Sequence, residues 1–251
     1  MFSFNRLFGR EVEPANSKLS SPQLSEPLFV IGDIHGCHDQ LETLLEKIWQ
    51  AEGYDARIIT VGDMIDRGAD SSAVLQRLIA LQRVAGSRLT CLKGNHEQMM
   101  LDFLAKPESA GLRWIQAGGL NTLESFNVTW GGQLNSLTAI AEQLSQALGP
   151  DLLAWLQGLP TFWEESNVGV VHAGADPTAP LSDQKDDNLI WGHSDFRKVR
   201  RPDGQWIVHG HNIVKEPRIK NGRISIDTGA YTGRPLTAVE INDGQIMFLQ
   251  S

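Results

Sequence analysis

Residues 28–48 read LFVIGDIHGCHDQLETLLEKI. The run from Leu28 to Ile31 is continuously apolar, which fits a strand buried on both faces, and Leu41, Leu44, Leu45 and Ile48 then recur at helical spacing. Between the two, Gly32 and Gly36 bracket Asp33 and His35. The unit is a strand, a tight polar turn and a helix, and the plan repeats downstream. ARIITVGD (56–63) reads as a strand, SSAVLQRLIALQRV (71–84) as a helix, RLTCLKGN (88–95) as a strand and HEQMMLDFLA (96–105) as a helix. Such alternation specifies an α/β fold with a mixed or parallel sheet.

From 105 to 165 the alternation stops. GLRWIQAGGLNTLESF (111–126) and LTAIAEQLSQALGPDLLAWLQGLP (137–160) both look helical, so this span is expected to form a helical insertion or cap. Strands return in VGVVHAG (168–174), WIVHGH (206–211), PRIKNGRISIDTGA (217–230) and LTAVEINDGQIMFLQ (236–250). The Asn221-Gly222 and Asp243-Gly244 pairs mark hairpins.

A chain of 251 residues with 41% hydrophobic content can bury the core of one large domain, expected here over 27–251. Residues 1–26 mix Ser, Pro and charge without a sustained period, which predicts a mobile tail. A competing reading makes Phe2, Phe4, Leu7 and Phe8, with Arg6 and Arg10, a short docking or membrane-surface helix. Nothing in the sequence approaches the run of about eighteen apolar residues that a membrane span needs, and the N-terminus lacks the layout of a secretory signal. Cys37 and Cys91 lie in separate motifs without CxxC spacing. A cytoplasmic protein without integral membrane contact is therefore expected. The net charge of −8 argues against nucleic acid as a partner. It leaves small phosphorylated substrates open, because a bound divalent ion can dominate the local field.

The polar residues at the strand ends share one form. GDIHG (32–36), GDMIDRG (62–68), GNHE (94–97), HAG (172–174) and HGHN (209–212) each follow an apolar strand and place Asp, Asn or His at its tip. In open α/β sheets ligands bind outside the carboxyl ends of the strands, so these tips should converge. Mixed oxygen and nitrogen donors in this number fit two divalent ions. Asp33, His35 and Asp63 form one candidate set, and Asn95, His172 and His211 a second, with Asp63 shared. Two close ions can serve an in-line displacement at phosphorus.

These segments, together with IDTGAYTGRPLTAV (226–239), occur in an order that resembles the phosphoprotein phosphatases of the calcineurin-like metallophosphoesterases. The similarity is greatest to bacterial and lambda-phage-type serine/threonine phosphatases and spans roughly 28–240. The resemblance implies a central β-sandwich flanked by helices. It implies metal ligation by Asp33, His35, Asp63, Asn95, His172 and His211, the last preferred over His209 because it directly follows the glycine. It also implies that His96 is the general acid, that Asp66 orients it and that Arg67 binds phosphate oxygens. Water then attacks phosphorus directly, with no covalent phosphoenzyme. Manganese is the expected ion, with iron or zinc as alternatives. One departure stands out: relatives carry a second phosphate-binding arginine shortly after the tryptophan matching Trp191, whereas LIWGHSDFRKVRR (189–201) offers Arg197 as the nearest candidate.

Plainer readings compete at each position. Asp33 and Asp63 are also candidates to cap the helices that follow them. Asp66 and Arg67 form a local ion pair in the simplest view, Asn95 a turn, and Glu97 a helix cap or a prop for a ligand. Asp227 either orients His211 or ends a strand. Met99, Met100, Trp114 and Trp155 read as core, and Cys37 as packing. The expected activity is a phosphatase acting on phosphoserine or phosphothreonine in proteins, with some tolerance for phosphotyrosine. The alternative substrate is a dinucleoside tetraphosphate cut symmetrically, and the non-enzymatic alternative is a scaffold that keeps the fold.

Overall fold

The computed structural model describes residues 19–131 and 136–251. Strands β1 (Leu28–Ile31), β2 (Arg57–Thr60) and β3 (Leu89–Cys91) are connected through helices α1 (His38–Glu52) and α2 (Ser71–Ala85). The three strands run parallel, and the hairpin of β9 (Thr237–Asn242) and β10 (Gln245–Gln250) adds antiparallel to β1, giving the order β10-β9-β1-β2-β3. A second sheet holds β4 (Phe162–Glu165), β5 (Val168–Val171), β6 (Trp206–His209), β7 (Arg218–Lys220) and β8 (Arg223–Ser225) in the order β4-β5-β6-β8-β7. There β5, β6 and β8 are the parallel members.

The uninterrupted apolar run of β1 now has its cause. Leu28 and Val30 pack against Val168, Val170, Val208 and Ile224 of the second sheet, while Phe29 and Ile31 face the helices. Both faces of the strand are covered, so no polar position survives along it. The two sheets thus form a sandwich, with helices on the far side of the first sheet. Both expected hairpins are present, and their Asn221, Gly222, Asp243 and Gly244 all take positive φ (52°, 75°, 47° and 74°), as two-residue turns between twisted strands require.

The span expected to be a helical insertion contains α4 (Pro107–Trp114), a wide helical turn at Ile115–Gly119, α5 (Leu120–Ser125) and α6 (Leu137–Gln157). Its far boundary is shorter than expected. Phe162–Glu165 is β4, the edge strand of the second sheet, because its pairing with β5 overrides the weak local pattern. The helices join the same core as α1 and α2: Phe103, from α3 (Asn95–Ala105), stacks on Trp114 at 5.0 Å, and Leu137, Ile140 and Leu144 are buried with them. Within α6 the chain breaks at Gly149 (φ 72°, ψ 166°) just before Pro150, where proline removes a helical hydrogen bond.

Residues 19–26, assigned by composition to the mobile tail, instead lie along the second sheet. Leu19 and Leu24 pack against the sandwich core, Trp206 Nε1 donates to Ser20 O at 2.8 Å, and Ser25 N donates to Glu165 at 2.8 Å. The rest of that expectation, and the short helix considered for it, lies outside the described residues. No helix among the described residues is long and apolar enough to cross a membrane.

Phe29 is fully buried between the first sheet and the helices. Replacing Phe29 with Ala is expected to lower the unfolding free energy by about 3–5 kcal/mol in urea titrations, with little change in the denaturant slope.

Candidate metal centre

Three parallel strands of each sheet end at the same edge of the sandwich, and the expected polar tips meet there. Contacts tie neighbouring tips together within each sheet, and one, from His211 N to Asp33, joins the two sheets. Gly210 N donates to His172 O at 2.8 Å, Ile34 N and His35 N reach Asp63 O at 3.1 and 2.9 Å, and His211 N reaches both oxygens of Asp33 at 3.1 and 3.0 Å. Such closeness needs glycine: a Cβ on Gly210 would lie 1.8 Å from Asp33 Oδ1, and one on Gly94 2.2 Å from Asp63 Oδ1. The neighbouring non-glycine residues share the strained geometry. His35, Asp63, Asp66, Arg67 and His211 all take positive φ, between 46° and 72°. Left-handed backbone of this kind costs of order 1 kcal/mol or more per residue and persists where surrounding contacts over-determine it.

The side chains converge on Asp63. His172 Nε2 lies 3.4 Å from Asp63 Oδ1, and His35 Nε2 lies 3.6 Å from Oδ2. Asn95 Oδ1 is 2.9 Å from His172 Nε2 and 2.8 Å from His211 Nδ1. His35 Nδ1 and His172 Nδ1 face the carbonyls of Ile65 (2.8 Å) and Val61 (3.0 Å), so each Nδ1–H donates to backbone and each Nε2 is turned toward Asp63. A divalent ion with bonds near 2.1 Å holds neighbouring donors about 3.0–3.4 Å apart. The observed spacings are close to that range, and Asp63 belongs to both groups able to hold an ion: His35, Asp63 and His96, and Asp63, His172 and His211. Asp33, expected with the first ion, is buried at the same tip but spends part of its carboxylate on His211 N.

Electrostatics also favour a cation. Burial, then repulsion from Asp227, pushes Asp33 well above the usual carboxylate range, and burial raises Asp227 as well. Burial alone would raise Asp63 and lower His172. Their mutual attraction reverses both, leaving Asp63 well below its ordinary value and His172 up at about 9. In the chain alone, a proton on His172 balances the buried carboxylate, and an ion held by the same atoms would take that proton's place. His35 and His211 are depressed by burial to about 3 and about 4, so their nitrogens stay neutral and available as donors.

Beside this cluster sits a second arrangement. His96 Nδ1 is 2.6 Å from Asp66 Oδ2, and His96 Nε2 is 3.0 Å from an Arg67 guanidinium nitrogen. Asp66 is fully buried and held from all sides: Trp114 Nε1 donates at 2.9 Å and Thr122 Oγ1 at 2.6 Å. Asp66 therefore serves His96, and the reading of a plain Asp66–Arg67 ion pair falls away. Burial would lower His96, but the charges of Asp63 and Asp66 outweigh it and raise it. Arg67 N donates to Gly118 O at 3.2 Å, and its guanidinium lies 4.8 Å from the Tyr231 ring centre. Trp114, Thr122 and Gly118 come from the helical segment, so that segment braces the Asp66–His96 pair and Arg67. Sequence reasoning took Trp114 as core and missed Thr122 and Tyr231, because no local pattern links them to Asp66 or Arg67.

Other expectations resolve individually. Asp33 and Asp63 do not cap α1 or α2, whose capping positions are Cys37 and Asp70. Asp63 instead accepts from His96 N at 3.0 Å, in the first turn of α3. Glu97 is the prop of this corner: its carboxylate accepts from Asp63 N (2.9 Å), Met64 N (2.8 Å), Ile65 N (3.3 Å) and Gly94 N (2.8 Å). Burial, then Asp63, pushes Glu97 up to about 7. Asp227 follows β8 and accepts from Gly229 N at 2.9 Å, which fits the strand-ending role. Met99 and Met100 are buried as expected, whereas Trp155 is only half-buried and donates to Gln82 at 2.5 Å. The Cys37 thiol is pushed up to about 11 by burial, consistent with packing. Arg197 is exposed and lines, with Arg218 and Arg223, a separate pocket that none of Asp63, Asn95, His172 and His211 lines, and the guanidinium standing over Trp191, at 4.5 Å, belongs to Arg113.

The chain belongs to the calcineurin-like phosphoesterases, whose family profile matches residues 26–215. It is 26% identical over 249 residues to the bis(5'-nucleosyl)-tetraphosphatase PrpE (asymmetrical) of Oceanobacillus iheyensis, covering 88% of this chain and 91% of that protein. The like-named protein of Bacillus velezensis is also 26% identical over 249 residues, with 88% and 92% covered. Among solved structures, a Saccharomyces cerevisiae protein serine/threonine phosphatase with similarity to human phosphatase PP5 superposes with a TM-score of 0.60 at 16% identity, covering 90% of this chain and 79% of that one, which shows a shared fold.

Removing the Glu97 carboxylate leaves four buried N–H groups without their acceptor. Glu97→Ala is expected to cost about 3 kcal/mol or more in chemical denaturation, and Glu97→Gln, which keeps one acceptor oxygen, distinctly less.

Proposed function

We propose that this chain is a metal-dependent phosphoesterase that hydrolyses dinucleoside tetraphosphates into unequal halves, a nucleoside triphosphate and a monophosphate. The observation that carries the chemistry is the sharing of Asp63 by two donor groups beside the buried Asp66–His96–Arg67 set. The observation that favours the substrate is the similarity to bis(5'-nucleosyl)-tetraphosphatases over nearly their whole length. This reverses the order expected from the sequence, which put protein phosphoserine and phosphothreonine first. The word asymmetrical in those names also favours unequal cleavage over the symmetrical cut expected for the alternative.

Asp33, His35 and Asp63 hold one ion in this reading, and Asp63, Asn95, His172 and His211 the other. When bound, such a pair supplies an activated water and positive charge for the phosphoryl oxygens. Manganese suits this mixed donor set, with iron or zinc as alternatives. Arg67 turns its guanidinium from His96 to the transferring phosphoryl group, where a planar fork of donors matches its oxygens. That turn frees His96 Nε2 to carry a proton, which it gives to the leaving phosphate oxygen. Asp66, held by Trp114 and Thr122, keeps the ring oriented and stabilises its charge. Cys37 and Cys91 are both free thiols, in keeping with a cytoplasmic protein.

Metal-reconstituted protein assayed in parallel on a dinucleoside tetraphosphate, a phosphoserine peptide and p-nitrophenyl phosphate is expected to show the highest kcat/KM on the dinucleotide. Nucleoside tri- and monophosphate should appear in equal amounts. Two equivalents of diphosphate would restore the symmetrical reading, and preference for the peptide the protein-phosphatase one. His96→Asn is expected to lower kcat by about 10²–10⁴-fold, and a chelator to abolish turnover reversibly.

A further inference from the structure

On the outer face of the second sheet lies a pocket of about 230 Å³ that the proposed chemistry does not use. Its floor is a cross-strand row, His209 on β6, Ser225 on β8 and Arg218 on β7, with His209 Nε2 2.9 Å from Ser225 Oγ. The next row sets Lys220 directly opposite Arg223. Like charges paired across strands destabilise a sheet, so the fold alone gives no reason for this placement. Arg197 closes the pocket from the turn above, and four cations with no carboxylate line it. Their neighbours Lys198 and Arg201 are paired with Asp195 and Asp203, but among the described residues none of these four is in an ion pair. Arg223 is 6% exposed and donates to Val199 O and Arg197 O, fixing the floor in place. In a chain of net charge −8, this concentration of unpaired positive charge on a concave surface calls for an anion.

Position favours a phosphate-rich ligand. Asn212 also lines the pocket, and the turn from His209 to Asn212 is the wall that carries His211 into the metal centre. Residues two apart on an extended chain are no more than about 7 Å apart, so the pocket and the candidate metal centre are near neighbours. We propose that the Arg197–Arg218–Lys220–Arg223 pocket is a second anion site that binds phosphate groups of a polyphosphate ligand. Two sources share that chemistry: the distal phosphates of a dinucleotide held at the metal centre, or a separate phosphate compound. Only the first source rests on the proposed activity.

The test titrates methylenediphosphonate, a non-hydrolysable diphosphate, into the metal-loaded full chain by calorimetry. Two binding events are expected for the unaltered chain, the pocket's one weakening steeply with salt. The exposed double variant Arg218→Ser/Lys220→Ser should lose that event, or weaken it about tenfold or more, while Lys198→Ser keeps both. Unchanged melting temperature shows that the variants fold. A raised KM of the double variant for the dinucleoside tetraphosphate, with p-nitrophenyl phosphate turnover untouched, identifies the substrate's own far phosphates as the occupant. An unchanged KM with the binding event lost identifies a separate ligand. Identical isotherms for the unaltered chain and the double variant overturn the proposal, whatever the enzyme hydrolyses.

Discussion

The carboxylate of Asp63, buried to 2% exposure, is the constraint on which this architecture turns. It follows β2, whose Ile58, Ile59 and Thr60 are all buried, and it stands close to the carboxylates of Asp33 and Glu97, with Asp227 adding to the charge. Burying several acids together is costly unless positive charge meets them. The chain alone answers with His172 and His96 beside Asp63, both raised by its charge. Divalent ions would answer better, because they would neutralise the acids while the histidines remained neutral donors. The glycines and left-handed residues at these tips follow from the same demand, since only such backbone lets six strand ends approach closely enough.

Much of this was legible in the sequence, and the reason is local. Apolar runs ending in Gly-Asp, Gly-Asn or Gly-His announce both a strand and its tip, so the α/β fold, both hairpins and the convergence of Asp63, Asn95, His172 and His211 could be read directly. What escaped is carried by contacts between distant segments. Trp114 and Thr122 reach Asp66 across 48 and 56 residues, with no period or motif to mark them. The strand at Phe162–Glu165 owes its existence to pairing with β5, and residues 19–26 are ordered by a sheet that lies about 140 residues further on. Spacing from Trp191 singles out Arg197, but the turn carries it into the pocket lined by Arg218 and Arg223.

The helical segment takes on a role that its sequence does not advertise. It covers the core, and through Trp114, Gly118 and Thr122 it also sets the position of Asp66 and Arg67. In the proposed mechanism the strand tips present the metal donors, while the helices orient the groups assigned to proton transfer and phosphate binding. Reactivity at the centre and the arrangement of the acid can therefore vary separately, since they depend on different parts of the chain.

The most direct test is the anomalous scattering of crystals soaked in manganese. Two peaks about 3.5–4 Å apart are expected, with one Asp63 oxygen or its carboxylate joining both, and with His35 at one and Asn95, His172 and His211 at the other. A single peak, or two that Asp63 does not touch, would contradict the account.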